Sequence, residues 1–316
     1  MSSPKEVIMI IGPTATGKST VAEKFIKSGY EKVNRDSIGG KLENIIPIMK
    51  SHLQNGKNVV LDNTHLAPDK RKDFIQAAKK CKANIKCLVM NTKIEDAQIN
   101  FSLRVINQGI NINDIETIKN SCAPNIFPPL VMFRHYKDFI KPTLDEGFDS
   151  VEEILFVREW PDDFTNKAIL VDFDSTIRIT KSGDNSPKTT DDIEIMDNRY
   201  DVLSDYQKNG YVICGVSNQS QVAKGIISYE NAQACYDKTV ELLGIDIDYM
   251  FCPHASSPPV CWCRKPMPGY GVHFIMKYKL DPKNSIMVGD MTTDKTFAKR
   301  SGFQYVDESE FFKKRN

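Results

Sequence analysis

Residues 12–20 read GPTATGKST, and this stretch decides the fold of the first half of the chain. It follows the apolar run VIMII of residues 7–11, which indicates a buried strand, and precedes an amphipathic segment at residues 20–26. A glycine loop between a strand and a helix is the context that the G-x-x-x-x-G-K-[ST] phosphate-binding motif requires. Gly12 and Gly17 let backbone N–H groups surround a polyphosphate at the N-terminus of the new helix. The sequence therefore predicts a site for a nucleoside triphosphate.

Three side chains at the end of this loop supply the chemistry that a bound triphosphate needs. Lys18 can neutralise the β- and γ-oxygens, and Ser19 offers a hydroxyl to Mg²⁺. Thr20 is counted with them as a nucleotide-binding residue. We therefore expect ATP and Mg²⁺ as cofactors of the first half.

The bulk composition excludes several classes of protein. The 316 residues carry a net charge of +1, with 41% hydrophobic and 26% charged residues, which is typical of a globular protein with room for two domains. Neither half is strongly basic, so any nucleic-acid contact should come from local patches. No signal peptide or membrane span is recognisable, and eight cysteines without a secretory signal indicate reduced thiols or metal ligands. We expect an intracellular protein, cytoplasmic or nuclear, without a membrane partner.

Alternating strand-like and helix-like segments follow the loop, which is the pattern of a parallel sheet. Active groups of such sheets lie at the carboxyl ends of the strands, where a predicted strand at residues 30–36 ends in Asp36 and the next ends in Asp62. A hydroxyl acceptor needs a carboxylate to take its proton, so Asp36 is the predicted base and Asp62 is predicted to hold the acceptor or groups around it. The alternative is that both residues only cap helices or turns. Residues 107–129 are polar and are predicted to form a lid or loop.

Three further stretches carry a resemblance. VNRDS at residues 33–37, LDNT at residues 61–64 and PTLDEGF at residues 142–148 resemble the kinase domain of the polynucleotide kinase/phosphatases. The resemblance covers residues 5–157 and is far more specific than the phosphate loop alone.

The resemblance implies roles for individual residues. Asp36 would be the general base on a 5′-hydroxyl, and Asp62 would help to bind the acceptor end together with Arg35. An arginine on the lid helix clamps the transferring phosphate in this family, and Arg104 is the arginine on the corresponding helix here. Gly39 stands where some family members carry an arginine, which leaves the acceptor-phosphate clamp unassigned.

The second half opens with AILVDFDST at residues 168–176, an apolar strand with two carboxylates at its end. Asp172 and Asp174 are spaced by two, so an extended backbone presents both on one side. One can attack phosphorus while the other donates a proton, and the pair also suits Mg²⁺. Later strands end in Ser217 and in Asp290, the latter followed by Asp294.

This order of elements, with Lys265 between the last two strands, resembles the haloacid-dehalogenase-type phosphatases over residues 165–306. The resemblance implies that Asp172 is the nucleophile that forms an aspartyl-phosphate and that Asp174 is the general acid and then the base. Ser217 and Lys265 would hold the phosphoryl oxygens. The magnesium site would consist of Asp172, the Asp174 carbonyl and Asp290, with Asp294 in support.

A zinc site is predicted in the same half. Cys252, His254, Cys261 and Cys263 form a C-x-H…C-x-C set in a loop rich in proline and serine, and four such ligands suit tetrahedral Zn²⁺. The alternative is a group of surface cysteines beside a core histidine. The loop resembles that of the zinc-bearing histidinol-phosphate and heptose-bisphosphate phosphatases, which implies a structural zinc that steadies the loop bearing Lys265.

The predicted fold class is α/β, with two doubly wound parallel-sheet domains. Residues 1–160 are predicted to be a P-loop kinase domain, and residues 165–316 a haloacid-dehalogenase-like phosphatase domain with a zinc loop at residues 252–263. The leading hypothesis is nucleic-acid end healing in DNA or RNA repair, with 5′-hydroxyl and 3′-phosphate ends as substrates and a ligase as a partner. Two alternatives remain open: a small-molecule kinase fused to a sugar- or histidinol-phosphate-type phosphatase, and an adaptor that only binds nucleic-acid ends.

Overall fold

The computed structural model describes residues 5–121, 123, 125–258 and 260–313. The chain divides into two compact units. The first contains Met1–Asn100, Ala123–Asn125 and Leu130–Arg158, and the second contains Phe101–Cys122, Ile126–Pro129 and Glu159–Asn316. The second unit thus includes much of the segment that the sequence analysis assigned to the kinase domain as a lid.

The first 158 residues alternate between strands and helices. The strands are β1 (Glu6–Ile11), β2 (Glu31–Val33), β3 (Val59–Asp62), β4 (Asn84–Asn91) and β5 (Ser150–Leu155). The helices are α1 (Lys18–Lys27), α2 (Arg35–Ile38), α3 (Ile46–Gln54), α4 (Asp69–Lys80), α5 (Ile94–Asn107), α6 (Ile115–Asn120) and α7 (Pro129–Asp138). Short 3₁₀ turns occupy Leu42–Ile45 and Leu144–Glu146.

Among the described residues of the first unit, five parallel strands form one sheet in the order β2-β3-β1-β4-β5. The central strand β1 is apolar from Val7 to Ile11 because helices cover both of its faces. Val7, Met9 and Ile11 belong to the core on one face, while Ile8 and Ile10 belong to the core on the other. The predicted doubly wound sheet is therefore confirmed, and the phosphate loop leaves the sheet at its central strand.

Two predictions about the first half are wrong in detail. The strand predicted at residues 30–36 ends at Val33, and Asp36 lies in the first turn of α2. The change occurs at Asn34, whose side chain accepts a hydrogen bond from the Asp36 amide and thereby starts a helix. The segment predicted as a loop at residues 107–129 contains α6, which begins where the Asp114 side chain accepts from the Thr117 amide.

The second half has the same alternating organisation. Its strands are β6 (Ala168–Val171), β7 (Arg178–Thr180), β8 (Ile193–Ile195), β9 (Val212–Asn218), β10 (Asp248–Cys252), β11 (Ile286–Gly289) and β12 (Gln304–Asp307). Its helices are α8 (Arg199–Lys208), α9 (Ser220–Ala223), α10 (Tyr229–Leu243), α11 (Gly269–Tyr278), α12 (Thr292–Ser301) and α13 (Glu308–Phe311). Further 3₁₀ turns occupy Thr190–Asp192 and Pro282–Asn284.

In the described part of the second unit, a parallel sheet has the order β10-β9-β6-β11-β12, and β7 and β8 form a separate antiparallel pair. Strand β6 is central, so its carboxyl end lies between those of β9 and β11. These are the three strands whose carboxyl ends carry Asp172, Ser217 and Asp290. The topology therefore gathers the predicted phosphatase residues at one edge of the sheet.

Within the described residues, no helix combines the length and the hydrophobicity that crossing a lipid bilayer would require.

An ion pair between a buried arginine and a largely buried glutamate connects α4 with the 3₁₀ turn at Leu144–Glu146. The Arg71 side chain on α4 has no solvent exposure, and its guanidinium donates to both carboxylate oxygens of Glu146, at 2.6 and 2.7 Å. Its Nη1 also donates to the carbonyl oxygens of His65 and Ile140, at 3.0 Å each. Because a buried guanidinium needs a compensating charge, Glu146 should matter more for stability than an exposed acid does.

We predict that Glu146→Gln lowers the free energy of unfolding of the first unit by about 3 kcal/mol, because it leaves the Arg71 charge buried and uncompensated. The matched control is Glu153→Gln, which removes an ion pair with Lys141 between two exposed side chains and should cost far less stability than Glu146→Gln. Urea-induced unfolding of the full chain measures both. Equal losses in the two variants would contradict the assignment.

Candidate active sites

The lysine of the phosphate loop forms hydrogen bonds with the backbone of the loop itself. Strand β1 ends at Ile11 and α1 begins at Lys18, with Gly17 between them in a left-handed conformation at φ +92° that other residues rarely adopt. The ammonium of Lys18, whose side chain is 8% exposed, donates to the carbonyl oxygens of Gly12 at 3.0 Å and Pro13 at 2.5 Å. The loop therefore holds a cation at the N-terminus of a helix, where phosphate oxygens bind well. Thr20 lies in the first turn of α1, and its side chain is exposed.

Asp62 lies beside the hydroxyl that the sequence assigns to magnesium. Its carboxylate is 3% exposed and accepts a hydrogen bond of 2.8 Å from the Ser19 hydroxyl. The Lys32 ammonium lies 3.4 Å from the same carboxylate oxygen. That Asp62 helps to hold the acceptor stays a prediction, and these contacts also bring it beside Ser19 of the phosphate loop. A carboxylate and a hydroxyl next to a phosphate loop are the oxygen ligands that Mg²⁺ prefers.

Asn34 connects Asp36 with this nucleotide side, and the sequence analysis missed it. The Asn34 side-chain amide donates to the Asp62 carbonyl oxygen, and its side-chain oxygen accepts from the Asp36 amide at 2.6 Å. On the neighbouring strand end, the Asn63 side chain accepts from the Arg35 amide at 2.9 Å. The Asn34–Asp62 bond and the Arg35–Asn63 bond fix the start of α2 against the end of β3. An asparagine directly before a helix is a recognisable capping signal, and it could have identified Asn34.

The carboxylate of Asp36 itself is accessible. Its side chain is about a quarter exposed, and one oxygen lies 2.9 Å from the Arg35 guanidinium, which is also exposed. An accessible carboxylate with a neighbouring cation can accept a proton from a bound hydroxyl. The predicted base and Arg35, which is predicted to bind the acceptor, are thus joined by an ion pair.

His65 is a second residue that the sequence analysis did not identify. Its ring is buried, and Nδ1 lies 3.2 Å from the Lys70 carbonyl oxygen. Burial is the main reason that the pKa of His65 is lowered to about 4; the bond to the Lys70 carbonyl oxygen and the Asp62 charge act against it, and the charges of Arg71 and Lys18 act with it. The ring is therefore neutral near pH 7 and adds no charge to the region of the phosphate loop.

Arg104 lies on α5 and is half-buried. Its position in the chain falls in the second unit, together with residues 101–122. Its predicted role as a phosphate clamp stays a prediction.

A buried lysine organises the site of the second unit. The Lys265 ammonium lies 2.8 Å from an Asp172 carboxylate oxygen and 2.7 Å from an Asp294 carboxylate oxygen. It also donates to the Val216 carbonyl oxygen at 2.6 Å. Burial would lower the pKa of Lys265, but the two carboxylates outweigh it and raise this pKa. The lysine is therefore charged, and it holds Asp172 in one place.

The backbone around Lys265 is fixed by Asn218, which the sequence analysis did not single out as a site residue. The side-chain oxygen of Asn218 accepts from the Lys265 amide at 2.9 Å, and its amide group donates to the Lys265 carbonyl oxygen at 3.0 Å. Asn218 ends β9, directly after the buried Ser217. The two predicted phosphate-binding residues are thus linked through one asparagine.

The three acids predicted around magnesium lie together. One carboxylate oxygen each from Asp172, Asp290 and Asp294 fall within 4.8 Å of one another. Burial raises the pKa of Asp290 to about 6, and the neighbouring Asp172 charge raises it as well. Carboxylates that repel one another in this way fit a divalent cation, which would relieve the repulsion. Gly289 allows the close approach, because a Cβ atom there would lie 2.5 Å from the Asp294 carboxylate.

Asp174 lies just beyond the strand. Strand β6 ends at Val171, so Asp174 belongs to a tight turn and not to the extended backbone that the sequence predicts. One of its carboxylate oxygens accepts a hydrogen bond of 2.9 Å from the guanidinium of the buried Arg178. Burial and the Asp172 charge raise the pKa of Asp174, while Arg178 acts in the opposite direction. The structure brings Asp172 and Asp174 to the same strand end by way of this turn.

The four predicted zinc ligands also lie together, within 4.8 Å of one another. Cys252 Sγ lies 3.4 Å from His254 Nδ1 and 3.6 Å from Cys261 Sγ, and His254 Nδ1 lies 3.2 Å from Cys263 Sγ. Ligands of a tetrahedral zinc ion, with Zn–S bonds of about 2.3 Å, lie about 3.7 Å apart. Three thiols and one imidazole at this spacing fit a closed zinc site.

The loop that carries this cluster is anchored inside the second unit. Trp262, between two of the cysteines, is fully buried and stacks on Phe101 with ring centroids 4.1 Å apart. Its indole N–H donates to the Phe127 carbonyl oxygen at 2.9 Å. The tryptophan therefore holds the ligand loop against α5 and the segment before α7.

Comparisons with known proteins find two domains in the predicted order. A family model described as an AAA domain matches residues 7–104, and one described as polynucleotide kinase 3 phosphatase matches residues 167–312. The bifunctional polynucleotide phosphatase/kinase of Schizosaccharomyces pombe is 31% identical over 157 residues, which cover 49% of this chain but only 35% of that relative.

Two further similarities to known proteins are found. The D-glycero-beta-D-manno-heptose-1,7-bisphosphate 7-phosphatase of Haemophilus influenzae is 33% identical over 138 residues, covering 41% of this chain and 73% of that relative. In the solved structure of the Pnkp1/Rnl/Hen1 complex, one chain is 14% identical, with 97% of both chains covered and a TM-score of 0.35.

The fold and the two sites define a two-domain enzyme with a P-loop kinase domain followed by a haloacid-dehalogenase-like phosphatase domain. Residues 167–312 match the polynucleotide kinase 3 phosphatase model, and over 138 residues the chain belongs to the same phosphatase family as the Haemophilus influenzae enzyme. The order of domains expected from the sequence is thereby confirmed.

We predict that Asn34→Ala lowers transfer of phosphate from ATP to a 5′-hydroxyl oligonucleotide, the acceptor proposed below, by about tenfold to hundredfold. The reason is that Asp36 would lose the bond that fixes its backbone, and a small misplacement of a catalytic group has an effect of this size. The matched control is Asn58→Ala, since Asn58 bonds the Glu6 amide at the other end of the sheet. An equal loss in both variants would contradict a positioning role for Asn34.

Proposed function

We propose that this protein heals nucleic-acid ends, adding phosphate from ATP to a 5′-hydroxyl and removing phosphate from a 3′ end. The observation that carries the proposal is the presence of two separate phosphoryl-transfer sites with opposite chemistry on one chain. On a single hydroxyl, the two reactions would only consume ATP. On the two ends of a broken polymer, they produce the ends that a ligase joins, so a ligase is the partner class that we propose.

In the kinase site, we assign ATP to the phosphate loop. Gly12 and Gly17 allow the loop to surround the phosphates, and Lys18 faces the β- and γ-oxygens. Asp36 takes the proton from the 5′-hydroxyl as its oxygen attacks the γ-phosphorus, and ADP leaves. Arg104 completes the assignment as the residue that clamps the transferring phosphate.

The remaining residues of the kinase site hold the cation and the acceptor. Ser19 would hold Mg²⁺, with Asp62 oriented by the Ser19 hydroxyl. Magnesium supplies charge neutralisation at the phosphates when it is bound. Arg35, beside Asp36, would meet the acceptor strand.

In the phosphatase site, Asp172 attacks phosphorus and forms an aspartyl-phosphate, while the bond from phosphorus to the 3′ oxygen breaks. Asp174 donates a proton to that oxygen and later takes one from the water that cleaves the intermediate. Ser217 and Lys265 hold the phosphoryl oxygens. Mg²⁺, held by Asp172, Asp290 and the Asp174 carbonyl with Asp294 in support, neutralises charge on the phosphate when it is bound.

The rival function is a phosphatase for sugar phosphates joined to a small-molecule kinase. The similarity to the heptose bisphosphate phosphatase favours it for the second half. The family model for residues 167–312 and the curated phosphatase/kinase relative support the polynucleotide assignment instead. A repair role of this kind also fits the intracellular location expected from the sequence.

The test uses one oligonucleotide with a 5′-hydroxyl end and a 3′-phosphate end, incubated with ATP and Mg²⁺. We expect the wild-type protein to process both ends. Lys18→Ala and Asp36→Asn should lower 5′ phosphorylation by about 10²-fold or more and leave 3′ dephosphorylation unchanged. Asp172→Asn should do the reverse.

Two results would overturn the proposal. Turnover of a heptose or histidinol phosphate without processing of either oligonucleotide end would favour the small-molecule rival. Tight end binding without any turnover would favour the adaptor.

We also propose that the four clustered cysteine and histidine ligands bind structural zinc. Purified protein should contain about one zinc per chain, and Cys263→Ser should remove it and lower the melting temperature, because the loop then loses its central cross-link. The matched control is Cys81→Ser, a half-buried cysteine of the first unit, which should keep the metal. Elemental analysis and thermal unfolding measure both effects, and unchanged zinc content in Cys263→Ser would refute the site.

A further inference from the structure

Arg178 is a buried charge that none of the assigned roles uses. It starts β7, four residues after Asp174, and its side chain has no solvent exposure. Its Nε donates to an Asp174 carboxylate oxygen at 2.9 Å. Its Nη1 donates to the Cys235 carbonyl oxygen at 2.8 Å and to the Thr239 hydroxyl at 2.7 Å, both on α10.

Aromatic rings and backbone bonds fix the guanidinium further. Its central carbon lies 4.5 Å from the Tyr236 ring centroid and 5.5 Å from the Phe173 ring centroid, within the range of cation–π attraction. The Arg178 amide donates to the Phe173 carbonyl oxygen at 3.0 Å, and the Ser175 amide donates to the Arg178 carbonyl oxygen at 2.9 Å. The guanidinium therefore lies between the Asp174 carboxylate, α10 and two aromatic rings, while the backbone bonds fix the turn that carries it.

We propose that Arg178 is a positioning residue that aims the Asp174 carboxyl group at the leaving oxygen. The inference rests on the proposed function, in which Asp174 is the general acid of the phosphatase. A general acid must lie within hydrogen-bond reach of the atom that it protonates, so its geometry limits the rate. Burying an arginine has a large desolvation cost, and a structural role alone could be filled by apolar packing. The bond to Asp174 is a reason for a buried arginine, and not an apolar residue, at this position.

The chemistry defines what Arg178 should affect. In the first step, a bond forms between Asp172 and phosphorus, and the bond from phosphorus to the leaving oxygen breaks. A sugar 3′ oxygen must receive the Asp174 proton as it leaves, whereas p-nitrophenolate is stable enough to leave without one. Misaiming Asp174 should therefore slow release of an oligonucleotide far more than release of p-nitrophenolate.

The test compares the first release step of two substrates, a 3′-phosphate oligonucleotide and p-nitrophenyl phosphate, in single-turnover experiments with Mg²⁺ and the full chain. The variant is Arg178→Lys, which keeps the charge but lacks the forked guanidinium that bonds Asp174 and α10 together. We expect oligonucleotide release to fall by about 10²-fold, the contribution typical of general acid catalysis, and p-nitrophenolate release to fall only a few-fold.

Two further variants separate positioning from packing. Thr239→Val removes a bond to Arg178 Nη1 but leaves the bond to Asp174, so it should keep the wild-type ratio of the two release rates. Asp174→Asn should change this ratio as strongly as Arg178→Lys does. In the double variant, Arg178→Lys should add little to the effect of Asp174→Asn, because both act on one proton transfer. Circular dichroism checks that each variant is folded.

Equal slowing of both substrates by Arg178→Lys, or independent effects in the double variant, would overturn the inference while leaving the phosphatase assignment intact. If the wild-type protein releases neither product, the proposed function fails first, and the inference fails with it.

Discussion

A buried charge must be paired, and this constraint determines the site of the second unit. Lys265 lies between Asp172 and Asp294 and donates to the Val216 carbonyl oxygen, so each of the three strand ends β6, β9 and β11 contributes or leads into one partner. Without the lysine, the acids would repel one another in a site with little water. The charge that we propose to bind phosphate oxygens thus also holds Asp172, the proposed nucleophile, in place.

The first unit solves the same problem with hydrogen bonds. Asp62 is buried at the end of β3 and is satisfied by the Ser19 hydroxyl and the Lys32 ammonium. Its carbonyl oxygen accepts from Asn34, which in turn caps the short helix that carries Asp36. A continuous set of contacts therefore runs from the phosphate loop to the accessible carboxylate. The distance between Ser19, the proposed magnesium ligand, and Asp36, the proposed base, is set by the backbone and by short side chains. Short side chains have few conformations, which favours a reproducible arrangement.

Much of this arrangement could be predicted because its signals are local. The strand, glycine loop and helix around residues 12–20 follow from their pattern and are present as β1, the phosphate loop and α1. The spacing of the cysteines and histidine indicated a cluster that the structure brings together.

What could not be predicted depends on contacts between distant segments. Asn218 acquires its role through Lys265, 47 residues away, and Arg178 through α10, 57 and 61 residues away. The extended backbone expected after Asp172 is wrong for a different reason: hydrogen bonds within residues 173–178 close a turn there, and the apolar strand pattern before it does not reveal them.

The central claim is that Asp36 removes the proton from a 5′-hydroxyl beside a triphosphate held by the phosphate loop. A crystal structure with a non-hydrolysable ATP analogue, Mg²⁺ and a short 5′-hydroxyl oligonucleotide tests it most directly. The account predicts a carboxylate oxygen of Asp36 within about 3.2 Å of the 5′ oxygen, in line with the γ-phosphorus. A 5′ oxygen bound to other groups, with Asp36 out of hydrogen-bond reach, would contradict it.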